Sequence, residues 1–185
     1  TYYPGSTFKI IPALAALEEG LIDPDQKQVC YGRYELGRHV FRCMKAHGPV
    51  PLHEALSQSC NVYFYHLAEK VGLERMARWA ERFGFGQPMG LGLGEASGFV
   101  PTLDYYKQHG GFRGGYALNT ALGQGAVRAS VLQLARAYAA LGNGGLVYGG
   151  EGVPAIDPTL IPDADAPAPA PVCPPEQIDP FPDES

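Results

Sequence analysis

Ser6 and Lys9 stand three residues apart in Thr1-Tyr2-Tyr3-Pro4-Gly5-Ser6-Thr7-Phe8-Lys9. On a helix, positions i and i+3 share a face, so this spacing brings a lysine amine to a serine hydroxyl. A serine is a poor nucleophile until a neighbouring base takes its proton. A lysine becomes such a base when burial lowers its pKa. A helix N-terminus adds free N–H groups and a partial positive charge, both suited to an oxyanion formed there. Two fixed residues in four also occur without any chemistry. The plainer alternative is Ser6 as an N-cap and Lys9 as a solvated helix lysine.

The elements around the pair favour the chemical reading. Pro4-Gly5 makes a tight turn directly before the serine. Phe8, Ile10, Ile11, Ala13, Leu14, Ala15, Ala16 and Leu17 predict a helix that is apolar nearly all round, hence buried and central. Gly20 after Glu18-Glu19 is a natural stop, and Pro12 predicts a slight bend. A short helix is expected over Leu52 to Ser57 and a longer one over Asn61 to Val71, ended by Gly72. Leu73, Met76, Ala77, Trp79, Ala80 and Phe83 recur at helical spacing up to Gly84, with Trp79 in the core. Val131, Leu134, Ala135, Tyr138 and Leu141 make a second stripe, with Ser130 as N-cap and Gly142 as stop. Strands are few: Val29 to Tyr34 and His39 to Cys43, around Leu36-Gly37, predict a hairpin. The glycine-rich stretches Gly84 to Gly98 and Gly110 to Gly115 read as loops.

Charge divides the chain. Residues 1–148 carry all 14 Lys and Arg against 11 acidic side chains; residues 149–185 carry eight acidic side chains and no basic one. Ten of the 17 prolines fall in the second part, in runs such as Ala166-Pro167-Ala168-Pro169-Ala170-Pro171. That composition predicts a disordered or polyproline II tail, either a natural linker or a mis-assembled end. The net charge of −5 comes from this tail, and no basic stripe or stacking platform points to nucleic acid. The first part is large enough for a single core.

The opening stretch, with Pro4-Gly5 before Ser6-x-x-Lys9, resembles the penicillin-binding protein transpeptidases, in which S-x-x-K carries the acylated serine. Ser59-Cys60-Asn61 stands where that family has its S-x-N element. Gly94-Glu95-Ala96-Ser97-Gly98-Phe99-Val100-Pro101, Leu122-Gly123-Gln124-Gly125 and the run from Leu132 to Gly145 are similar to class B members, above all the penicillin-binding protein 2 type of cell elongation. The resemblance covers residues 1 to about 148 and implies an α+β architecture, the helix-rich part of a β-lactamase/transpeptidase-like domain. No K-T-G or K-S-G triplet is present, since Lys9, Lys27, Lys45, Lys70 and Lys107 begin none. In the family that triplet lies on an edge strand beside the second oxyanion donor. The chain also opens inside a motif, and it is expected to be an incomplete, internal piece of a longer protein, inactive and poorly soluble by itself.

The resemblance implies a peptidoglycan D,D-transpeptidase working through a serine acyl-enzyme made from D-Ala-D-Ala stem peptides. Ser6 would be the nucleophile, Lys9 the base, Ser59 the proton relay and Asn61 the positioning amide. It further implies acylation by β-lactams, partners in the cell-elongation machinery, no cofactor for catalysis, and a periplasmic site anchored to the bacterial inner membrane. A D,D-carboxypeptidase or a serine β-lactamase shares these motifs; the missing triplet leaves room for a non-catalytic fragment or penicillin-sensing module.

A second constellation remains. Cys30-x12-Cys43-x3-His47-x12-Cys60 offers four ligands for a tetrahedral zinc, which would pin the hairpin beside the helix that follows Ser59. Penicillin-binding protein 2 members are similar in having acidic, Cys and His residues there that can hold zinc. A Cys30–Cys43 disulfide in an oxidising periplasm is as open as zinc, and free thiols, with Cys60 as a small buried hydrophobe, are the remaining alternative. Cys173 sits in the tail, and His53, His66 and His109 join no constellation.

Overall fold

The computed structural model describes residues 1–90, 95–145 and 147. The tail expected from residue 149 onward, Cys173 with it, lies outside the described residues, as do four residues of the Gly84–Gly98 loop.

The buried helix begins later than its sequence pattern predicts. Gly5–Lys9 form a 3-10 turn and α1 runs over Ile10–Glu18. Pro12 falls in the first turn of α1, where its missing N–H has least to interrupt. The helix is central as expected: Phe8, Ile11, Ala13, Ala15 and Ala16 are buried, and Phe8 packs edge-on against Phe85 with ring centres 5.4 Å apart.

Four short strands follow: β1 (Gln28–Cys30), β2 (Arg33–Leu36), β3 (His39–Arg42) and β4 (Gly48–Val50). The expected hairpin is therefore shorter and split. β2 pairs antiparallel with β3, Leu36 opposite His39, while β1 leaves at Cys30 and pairs with β4, Cys30 opposite Gly48. Pro49 lies inside β4, and a proline demotes a strand signal, so this second ribbon escapes sequence reading. The Cys43 N–H donates to the Gly32 carbonyl at 2.9 Å and extends the β2–β3 pairing one step beyond Arg33 and Arg42.

The helices α2 (Leu52–Ser57), α3 (Asn61–Val71) and α4 (Leu73–Arg82) lie where the sequence puts them. α3 packs against α1, and α1 against α4. Trp79 is buried, its indole N–H donating to Glu19 at 3.1 Å. Two further helices, α5 (Leu103–Gln108) and α6 (Gly114–Ala121), carry no strong periodic signal. Gly114 and Gly115 were expected in a loop, yet they open α6. A Cβ on either would come within 3.1 Å of Leu36 or 3.0 Å of Phe41, so the pair lets the hairpin seat on the helix.

The last described helix, α7 (Val131–Gly142), has the expected Ser130 cap, closed reciprocally by Gln133. Its buried face differs from the predicted stripe. Val131, Tyr138 and Leu141 are exposed, while Gln133, Arg136, Ala137 and Ala140 face inward. The reason is polar: Gln133 Nε2 donates to the carbonyls of Gln87 and Ser97 at 2.8 and 2.7 Å, and Arg136 donates to that of Gly84. A glycine-rich loop exposes backbone acceptors that need donors once buried, and here helix side chains supply them.

Candidate active site

Backbone contacts fix the Ser6 turn before any side chain acts. Tyr2 and Ala129 exchange N–H···O bonds of 2.8 and 2.9 Å, and the Gly5 N–H donates to Gly123 at 3.0 Å. Gly123 has φ +63°, and a Cβ there would lie 2.3 Å from the Gly5 carbonyl oxygen, so no other residue fits. Tyr138 Oη donates to the Thr7 carbonyl at 3.1 Å. Pro4 occupies the cap position of the turn and Ser6 lies inside it, so Ser6 is not the N-cap.

The second half of the site is the bend between α2 and α3. Ser59 has φ +54°, the one non-glycine residue with positive φ among the described residues. A left-handed serine costs roughly 1–2 kcal/mol. The bend aims both the Ser59 hydroxyl and its carbonyl at one atom. Lys9 Nζ donates to Ser59 O at 2.9 Å, Ser59 Oγ at 2.8 Å and Asn61 Oδ1 at 2.8 Å. Ser59 Oγ in turn donates to Ser6 Oγ at 2.8 Å. All four residues singled out from the sequence thus meet in one hydrogen-bonded network. The expected direct Lys9–Ser6 contact is replaced by a link through Ser59 Oγ.

Lys9 is 1 % exposed and sits over the Phe64 ring at 5.2 Å. Burial pulls its pKa from 10.5 down to about 8, although the nearby thiols of Cys43 and Cys60 push back toward the charged form. At neutral pH an appreciable share of the lysine is therefore a free amine. When it is protonated, donation runs from Lys9 through Ser59 to Ser6. When it is neutral, the two hydroxyls can rotate and donation reverses, carrying the Ser6 proton toward Nζ.

Cys30, Cys43, His47 and Cys60 also converge, their donor atoms all within 4.8 Å of one another. His47 Nδ1 lies 3.5 Å from both Cys30 Sγ and Cys43 Sγ. A tetrahedral zinc with ordinary bond lengths spaces sulfur and nitrogen about 3.5 Å apart, so the donor set fits that ion. Cys30, Cys43 and Cys60 are all unbonded cysteines in this structure. Burial pushes the Cys60 thiol up to about 12. Burial also acts on Cys43, but the backbone N–H groups of Val62, Asn61 and Lys45 outweigh it and lower that thiol. The cluster borders the serine network: the Asn61 N–H donates to Cys43 Sγ at 3.2 Å, and Asn61 Nδ2 to the Arg42 carbonyl at 3.4 Å. Sequence reasoning missed the Arg42 and Cys43 contacts to Asn61, the left-handed Ser59 and the role of Gly123. Of these, only Gly123 left a trace, in the Leu-Gly-Gln-Gly run.

The family profile described as penicillin binding protein transpeptidase domain matches residues 1–149. The chain belongs to that family. It is 36% identical over 151 residues to the peptidoglycan D,D-transpeptidase MrdA of Acinetobacter baumannii, covering 78% of this chain and 22% of that protein. It is 38% identical over 154 residues to the stage V sporulation protein D of Bacillus subtilis, covering 80% and 22%. Among solved structures, Pseudomonas aeruginosa PBP2 in complex with WCK 5153 superposes with a TM-score of 0.73 at 36% identity, covering 77% of this chain and 34% of that one. The PBP2 of Helicobacter pylori in complex with MreC gives 0.74 at 31% identity, covering 77% and 28%. The chain thus spans about a fifth of the length of the curated relatives named here. Its helix-rich α+β fold is that of the penicillin-binding transpeptidases. No described helix is long and apolar enough to cross a membrane.

Proposed function

We propose that this chain provides the nucleophile and proton-transfer residues of a peptidoglycan D,D-transpeptidase of cell-wall elongation. The observation that carries this reading is the continuous link from buried Lys9 through Ser59 Oγ to Ser6 Oγ. Ser6 Oγ attacks the penultimate carbonyl of a D-Ala-D-Ala stem peptide while its proton passes through Ser59 to neutral Lys9. The Ser6 N–H is one oxyanion donor, and the second belongs to a strand bearing the family's third motif. Collapse of the tetrahedral intermediate returns the proton to the departing D-Ala amine and leaves an acyl-enzyme. An amine of a neighbouring peptide then takes the acyl group, and Ser6 recovers its proton. Asn61 holds Lys9 and orients the substrate amide.

The relatives' names support this substrate class. A β-lactam would stop at the acyl stage. The H. pylori complex with MreC supports a place in the elongation machinery, and with it a periplasmic site on the inner membrane. The transpeptidase chemistry draws on no cofactor. Cys30, Cys43, His47 and Cys60 would hold a structural zinc that fastens the β1–β4 ribbon to the start of α3 and takes no part in the reaction.

The test is covalent labelling of the full-length protein with a fluorescent penicillin. The adduct is expected on Ser6, and Ser6→Ala should abolish it. Labelling that survives this substitution contradicts the assignment. Release of D-Ala without cross-linking would instead mark a carboxypeptidase.

A further inference from the structure

Residues 59–61 divide between two clusters. Ser59 and Asn61 meet Lys9, whereas Cys60 joins Cys30, Cys43 and His47. Cys43 belongs to both, because its sulfur accepts the first backbone N–H of α3, that of Asn61. The neighbouring Arg42 carbonyl accepts from Asn61 Nδ2 and from Tyr65 Oη, each at 3.4 Å. Asn61 is thus steadied at its main chain and its side chain by two consecutive residues of one segment. An amide so held keeps its Oδ1 2.8 Å from Lys9 Nζ.

The same cluster holds three free thiols close together. Cys43 is the most exposed of them; Cys30 and Cys60 are 1 % and 0 % exposed. We propose that Cys43 is a positioning residue for Asn61, and that oxidation of Cys43 and Cys30 to a disulfide reversibly slows acylation of Ser6. This rests on the reading of Ser6, Lys9 and Asn61 given above.

The oxidant is an external small-molecule disulfide. The Cys43 thiolate attacks one of its sulfurs and expels a thiol, giving a mixed disulfide. The Cys30 thiolate then attacks Cys43 Sγ and expels the second thiol. One external disulfide is reduced to two thiols and two protein thiols become one disulfide, so electrons and protons balance. The new bond brings the two sulfurs to about 2.05 Å. It draws Cys43 Sγ from the Asn61 N–H, and shifts the Arg42 carbonyl with it. A metal on these sulfurs and the disulfide exclude each other, so a bound ion protects the reduced state.

The experiment uses the full-length protein, stripped of metal with a chelator and split into two portions. One is kept in dithiothreitol and the other treated with oxidised glutathione. Peptide mapping locates the disulfide, fluorescent penicillin gives the acylation rate, and thermal melting reports the fold. The expected result is a Cys30–Cys43 cross-link and a fall in acylation rate of about tenfold to a hundredfold, the upper end being the scale of a misplacement near 1 Å. The rate should return with dithiothreitol, and the melting temperature should be no lower than that of the reduced, metal-free protein, which separates loss of positioning from loss of fold. In Cys43→Ser, which removes the thiol that reacts first, the ratio of rates with and without oxidant should be one, whatever its basal rate. An unchanged rate with the cross-link in place overturns the inference, as does failure of the cross-link to form. Absence of acylation in both portions removes the Ser6 reading itself and the inference with it, and is told apart by the reduced control.

Discussion

The two clusters that meet at residues 59–61 are built differently. The serine network draws on the 3-10 turn before α1 and the bend before α3, both anchored in the apolar core. Its bonds are complete: Lys9 has three acceptors, and Ser59 links it to Ser6. The thiol cluster hangs on the strand segment, with Cys30 at the end of β1 and Cys43 just after β3. The contacts among its own members, such as the 3.5 Å approaches of His47 Nδ1 to Cys30 Sγ and Cys43 Sγ, are longer than those of the serine network. One region is preorganised by packing; the other gathers three thiols and an imidazole within 4.8 Å of one another. Substitutions in the first should therefore change catalysis without loss of fold, and removal of a candidate ligand from the second should lower stability.

Removal of Lys9 tests this contrast most severely. Lys9→Ala should slow penicillin acylation of the full-length protein by about a hundredfold or more, the scale of a lost positioned base. Ser59→Gly comes next: it removes the linking hydroxyl and relieves the left-handed backbone, so acylation should fall by about tenfold to a hundredfold while thermal stability does not fall. If stability dropped as well, the bend would owe its shape to the hydroxyl rather than to the core. On the other side, the reduced protein should carry about one zinc per chain. Cys30→Ser or His47→Ala should lower zinc content and reduce the melting temperature by ~5 °C or more, read by metal analysis and calorimetry. Full zinc occupancy in either variant would remove that residue from the ligand set.

Much of the first region was legible in the sequence because its chemistry depends on residue type at fixed spacing. Ser6 and Lys9 lie on one turn, and Ser59 and Asn61 flank a single residue. The apolar run after Phe8 already declared a buried helix. The resemblance implied Ser59 as a relay, but its position between Lys9 and Ser6 was not legible, since that depends on Ser59 adopting φ +54° in the bend between α2 and α3. The strands were partly legible. The β2–β3 turn at Gly37 could be read, but the pairing of β1 with β4 spans about 20 residues and includes Pro49. On α7, periodicity pointed to Val131, Tyr138 and Leu141, yet Gln133 and Arg136 are buried because loop carbonyls require their donors. Hydropathy has no term for such a demand.

The central claim is that a buried lysine, held near a pKa of about 8, takes the Ser6 proton. The most direct measurement is the pH dependence of the second-order penicillin acylation rate constant of the full-length protein between pH 6 and 10. Only neutral Lys9 accepts a proton, so the rate should rise about tenfold per pH unit below 8 and level off above it. A rate that is flat from pH 6 to 10, or that falls as pH rises through 8, would contradict the account.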